Sequence, residues 1–202
     1  MKLAKAKRNL IARGTIVLIS GPDEEWLSDG LAAWRCTEMG LKKDNVRAIM
    51  EITDKQVGAE EVIELNYSME SRWTGYYDAH FDISMKDEGL VLVDGVEYRM
   101  LTALEPDERA PQPVYIREAD VNPVRLSVGT PEYNLRVSDE EYAGGRRTQL
   151  VAVCYDLTVC ALIAPEGRGR SDDTGRKYGA DRIEQRIAEI YALTHGGKYA
   201  NI

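Results

Sequence analysis

Apolar positions along this chain recur mostly in short runs of period two and change to helical spacing at only a few places. The run Thr15–Ser20 (TIVLIS) is β-branched and ends in Gly21-Pro22-Asp23, residue types that reverse a chain. Glu25–Ser28, the Asp29-Gly30 turn and Leu31–Cys36 follow, so the pattern predicts a meander of three antiparallel strands. Two β-prone runs within Leu90–Ala103 flank Asp94-Gly95, a pair that tolerates the two positive φ values of a type I′ hairpin. Farther on, Val114–Ile116, Arg125–Val128, Tyr133–Val137, Gln149–Tyr155 and Thr158–Ala164 read as strands bounded by turn residues. The last two are the most apolar part of the chain, with Asp156 at the reversal between them. They are expected at the centre of a sheet.

Helical spacing appears near both ends and in one intervening stretch. Lys2–Ala12 sets Leu3, Leu10 and Ile11 on one face and basic residues over much of the rest. Asp44 caps a helix through Glu51 with Val46, Ile49 and Met50 turned inward, and Thr53-x-x-Gln56 matches a capping box that opens a second helix toward Leu65. A final helix begins at Asp181, carries Ile183, Ile187, Ile190 and Tyr191 on one face, and ends at His195-Gly196-Gly197. The expectation is an α+β protein of mostly short antiparallel strands in one or two β-rich halves, with an N-terminal helix, helices near 44–65 and a C-terminal helix. Residues 1–202 should form a single compact unit. Its best internal boundary is the loop Glu105–Pro113, stiffened by Pro106, Pro111 and Pro113, between sub-halves 1–104 and 114–202.

Composition agrees with a folded chain, with 44% hydrophobic and 30% charged residues among 202. No apolar run approaches the roughly 18 residues that span a bilayer, and the first residues lack a secretion-signal core, so no membrane contact and a cytoplasmic location are expected. Cys36, Cys154 and Cys160 form no CxxC pair and sit among apolar residues, the pattern of buried free thiols.

Charge is uneven. Of the net −8, Lys2, Lys5, Lys7, Arg8 and Arg13 contribute +5 and the remainder −13. Such a body repels nucleic acid except where a basic patch intervenes. Two segments could supply one: Lys2, Lys5 and Arg8 at the start, and Arg168, Arg170, Arg176 and Lys177 in the glycine-rich stretch 165–179.

Chemistry-bearing motifs are sparse. Ser20-Gly21-Pro22 lacks the GK[ST] ending of a phosphate loop, no G-x-S-x-G elbow occurs, and no dinucleotide fingerprint follows a strand. Asp78, His80 and Asp82 alternate, which on a strand sets them about 7 Å apart on one face, a spacing suited to a divalent metal that activates water. No other cofactor is expected. Tyr67, Trp73, Tyr76, Tyr77 and Phe81 crowd one stretch among polar neighbours, a composition typical of protein contact surfaces.

The order of elements resembles that of the DNA sliding-clamp family: a helix, the meander GTIVLISGPDEEWLSDGLAAW, later short strands, VYIREADVNPV, and the closing apolar VCYDLTVCALIAP. The texture is also similar to that of small phage or prophage accessory proteins. The leading expectation is a non-enzymatic binding or assembly protein, phage-related by that likeness, whose contact is protein, self-association included. The resemblance implies one alternative, a clamp-like DNA replication accessory factor. The Asp78/His80/Asp82 run suggests another, a metal-dependent hydrolase.

Overall fold

The computed structural model describes residues 2–14, 16–21, 24–36, 43–53, 62–66, 80–108, 110, 113–125, 129–142, 146–156 and 158–166. Among them three helices, α1 (Leu3–Arg13), α2 (Lys43–Met50) and the four-residue α3 (Glu118–Val121), accompany ten strands. These are β1 (Ile16–Ser20), β2 (Glu25–Ser28), β3 (Ala32–Arg35), β4 (Val62–Asn66), β5 (His80–Val93), β6 (Val96–Ala103), β7 (Val114–Arg117), β8 (Glu132–Tyr142), β9 (Arg146–Tyr155) and β10 (Thr158–Ile163). All ten join one sheet in the order β4-β1-β2-β3-β10-β9-β8-β5-β6-β7. The fold is α+β, and every pairing is antiparallel except that of β4 with β1.

The meander β1–β2–β3 forms as the pattern predicts, and β10 and β9 occupy the fifth and sixth places of the sheet, at its centre. Their reversal puts Asp156 at φ +52°, with Tyr155 opposite Thr158. The β5–β6 hairpin closes on Asp94 (φ +50°) and Gly95 (φ +79°), with Val93 opposite Val96. Those two left-handed residues give the turn the twist its strands need.

Four expectations change. Residues 62–66 are a strand rather than the end of a second helix, because Val62 and Ile63 pair along β1 as its parallel neighbour; residues 54–61 lie outside the described set. Arg125 itself lies in a turn after α3, its N–H donating to Val121 O (3.2 Å), and not in the strand expected from there; residues 126–128 lie outside the described set. β5, β8 and β9 run to 14, 11 and 10 residues and are not short. Ile11 and Ile49 face solvent at 70% and 45% exposure, since α1 and α2 rest on the narrower i, i+4 pairs Ala6/Leu10 and Val46/Met50. The predicted C-terminal helix lies outside the described residues.

One face of the sheet carries the main core: Leu18, Leu27, Trp34, Leu101, Leu135 and Ile163 pack with Ala6 and Leu10 of α1, Val46 of α2 and Val121 of α3. The sheet curls around it. Ala164 N–H donates to Leu31 O (2.7 Å) and Glu166 N–H to Tyr115 O (2.8 Å), so the chain leaving β10 reaches β7, the far edge of the sheet, within three residues of Ile163, a span of about 10 Å. The Glu166 carboxylate also accepts from Arg117 Nε at 2.8 Å. Strands from both sides of the loop 105–113 alternate in this sheet, β3 beside β10 and β5 beside β8.

Candidate functional site

The densest chemistry among the described residues gathers around α3, whose two acids, Glu118 and Asp120, are each 3% exposed. A buried carboxylate is tolerable only when paired. Each finds cations from a different part of the fold. Glu118 accepts from Arg99 (Nε 3.0 Å, Nη2 2.9 Å) on β6 and from Arg125 (2.7 Å), and Arg99 also grips Asp87 of β5. Asp120 accepts from Arg13 Nη2 (2.8 Å), while Nη1 of the same guanidinium reaches Asp29 (2.5 Å) in the β2–β3 turn.

Local backbone geometry aims these groups. A β-bulge between Asp87 and Gly89 turns Asp87 toward Arg99, and the Asp87 carboxylate accepts the Gly89 N–H at 2.9 Å. Asp29 caps its own turn by accepting from the N–H groups of Leu31 (3.0 Å) and Ala32 (2.8 Å). Around Asp120, Trp34 Nε1 donates to its carbonyl at 2.8 Å and Asn9 Nδ2 donates to Ala119 O at 2.8 Å. Burial, and the nearby Asp29 charge, push the Asp120 carboxyl above its usual range against the opposing pull of Arg13.

These are closed networks. Arg99 is shared by two carboxylates, and Arg13 by two more, so the groups bolt α1, α3, the β2–β3 turn and the bulge together. The exception is Tyr133, 2% exposed, whose Oη lacks a hydrogen-bond partner among the described residues while the Arg99 guanidinium sits 5.9 Å from its ring centre. Burial pushes its phenol up to about 12. All three cysteines are buried and reduced, and burial pushes the Cys36 thiol up to about 12, which removes the thiolate a nucleophile needs.

The residues singled out by sequence fall differently. Tyr67, Trp73, Tyr76, Tyr77 and Asp78 lie outside the described residues, as do Arg168, Arg170, Arg176 and Lys177. His80 and Phe81 enter only through the β5 backbone, opposite Ser138 and Val137. Asp82 is opposite Arg136, whose Nε lies 3.1 Å from its carboxylate. Among the described residues no group of three His, Cys, Asp or Glu side chains is arranged to hold a metal ion, and no helix is long and apolar enough to cross a membrane. At the N-terminus Lys2 and Arg8 are exposed, but Lys5 Nζ donates to Asn122 (3.3 Å), Lys7 pairs with Glu51 (3.3 Å) and Arg13 is committed to its two acids. The basic face of α1 is therefore thinner than its composition.

One further feature stands apart. Past Met85, β5 leaves β8 and pairs with β6 alone, and at the tip β6 leaves β7, so the hairpin extends as a two-stranded arm. Its inner-face residues Leu90 and Leu92 are 49% and 63% exposed and Val96 at the turn is 38% exposed, while Val93 and Tyr98 on the opposite face are buried. Sequence reading identified this hairpin but not its overhang. The overhang depends on where β8 begins, at Glu132, far along the chain. Comparison with protein-family models, with curated proteins and with solved structures finds no match.

Proposed function

We propose that this chain is a binding or assembly protein and that its protein contact, self-association included, forms on the β5–β6 arm. The observation that carries this reading is the arm itself. It has two leucines in solvent on one face and, along β5 from Lys86 to Val93, no second strand among the described residues. An unpaired edge with apolar neighbours invites another chain, because its backbone N–H and C=O groups and its side chains gain partners together. The buried acids support the same reading, since their hydrogen bonds are spent on holding elements in place.

Light scattering across protein concentration, with and without DNA at low and moderate salt, tests it. The wild-type mass should rise above the 22.7 kDa of one chain, and the Leu90→Asp/Leu92→Asp variant should stay at one chain while melting normally. A wild-type protein that remains monomeric at every concentration, or that assembles only on DNA in a salt-sensitive way, overturns the proposal.

A further inference from the structure

We infer that the acid-edged cleft at the loop 105–113 seats this chain's own basic stretch, with Arg168 and Arg170 entering it from the residues beyond Glu166. The inference goes beyond the assembly reading and does not rest on it. The cleft, of about 750 Å³, is walled by the end of β6 and the loop that follows. Buried Ala110 and half-buried Ala103 and Pro113 give it apolar surface, while Asp107 and Glu108 supply its charge. The Ala110 N–H donates to Asp107 O (3.0 Å), which closes the turn that carries both acids. Such a cleft suits arginine, whose stem covers apolar surface while its guanidinium meets carboxylates. Charge agrees on both sides. The loop 105–113 carries Glu105, Asp107 and Glu108 against Arg109, a net −2, and residues 167–179 carry Arg168, Arg170, Arg176 and Lys177 against Asp172 and Asp173, a net +2.

Chain direction delivers the stretch to this place. Five antiparallel pairings separate β10 from β7, so the two strands run in opposite directions. Glu166 is pinned to β7, its N–H on Tyr115 O (2.8 Å) and its carboxylate on Arg117 Nε (2.8 Å). A chain that keeps the direction of β10 past Tyr115 next meets Val114 and then Pro113, a wall of the cleft. At about 3.3 Å per residue, Arg168 would lie about 7 Å and Arg170 about 13 Å beyond Glu166. Cations tethered that closely have a millimolar effective concentration, which an outside basic partner must exceed. Seated there, the two arginines are withdrawn from the basic patch that nucleic acid would need.

Cysteine cross-linking in the full chain tests the contact without removing a charge from either side. Pro106 lines the cleft and is exposed, and Gly169 stands between the two arginines. The native cysteines are buried and should stay silent. Glu97→Cys/Gly169→Cys is the control: Glu97 is exposed on β6 beyond the Tyr98–Arg117 pair, reached from Glu166 in the direction away from the cleft. At low salt Pro106→Cys/Gly169→Cys should form its intrachain disulfide about 5-fold faster than the control, the shift that one or two exposed ion pairs supply. That advantage should vanish in about 1 M salt and in an added Asp107→Asn/Glu108→Gln background. Equal rates in the two pairs, an advantage that survives salt and neutralised acids, or a covalent dimer in place of the intrachain bond overturns the inference. Should Pro106→Cys melt below the wild type, Glu108→Cys takes its place in the same comparison. Each of these outcomes leaves the arm reading untouched, because the Leu90→Asp/Leu92→Asp experiment does not involve the cleft.

Discussion

Replacing Tyr133 by phenylalanine removes one oxygen and leaves the packing and the Arg99 stacking in place. That oxygen is buried and has no hydrogen-bond partner among the described residues. An unsatisfied buried hydroxyl costs about 1–3 kcal/mol, whereas one that is hydrogen-bonded contributes about 0.5–1.5 kcal/mol. Tyr133→Phe should therefore stabilise the fold by about 1 kcal/mol or more. With a urea dependence of about 1–3 kcal/mol per molar, the midpoint should move up by about 0.3–1 M with an unchanged slope. Alkaline pH gives a second reading. The phenol sits at about 12 in the folded chain against about 10 when unfolded, so its contribution is intact below pH 10 and is lost as pH rises through 12. The phenylalanine variant should lack that decline. A lowered urea midpoint would refute the reasoning, because it would mean the hydroxyl has a partner.

Further consequences concern the ion pairs and the thiols. Asp120→Asn should lose more stability on acidification than the wild type: the folded state holds the Asp120 proton more tightly than the unfolded chain, so this group adds stability as pH falls through its raised value, and melting curves of both proteins from about pH 7 to about pH 4 measure the difference. Arg13→Gln strands Asp29 and Asp120, whose side chains are 0% and 4% exposed, without their guanidinium and should cost about 3–5 kcal/mol in urea unfolding. Cys36 should react with a thiol reagent at neutral pH only as fast as the protein opens, so labelling and unfolding rates should coincide.

What sequence reveals here follows from how far each feature reaches along the chain. Asp94-Gly95 and the meander turns are local, with residue types that suit the required backbone angles, and both appear where expected. The centrality of β9 and β10 is legible because strands buried on both faces must be apolar throughout. The first half of β5, where buried Ile83 and Met85 alternate with polar Asp82 and Ser84, carries the ordinary pattern of a half-buried strand. β4 is hidden because a five-residue parallel strand draws its stability from β1, more than forty residues away. The α3 networks are least legible. Arg13 meets Asp120 across 107 positions and Arg99 meets Glu118 only after β7 intervenes, so the sole local trace is two acids among the apolar residues of VYIREADVNPV. Of the three residues whose alternation suggested a metal, Asp82 lies opposite Arg136 on a neighbouring strand, while Asp78 and the His80 side chain lie outside the described residues.

The proposed contact surface is the β5 edge of the arm. Amide hydrogen exchange at Leu90 and Leu92, followed as protein concentration is raised, tests this most directly, since both N–H groups point to the open edge and have no acceptor within the hairpin ladder. Protection at these two amides that increases with concentration, while Val91 and Val93 change little, is the predicted result. Exchange at Leu90 and Leu92 that stays fast at every concentration would contradict it.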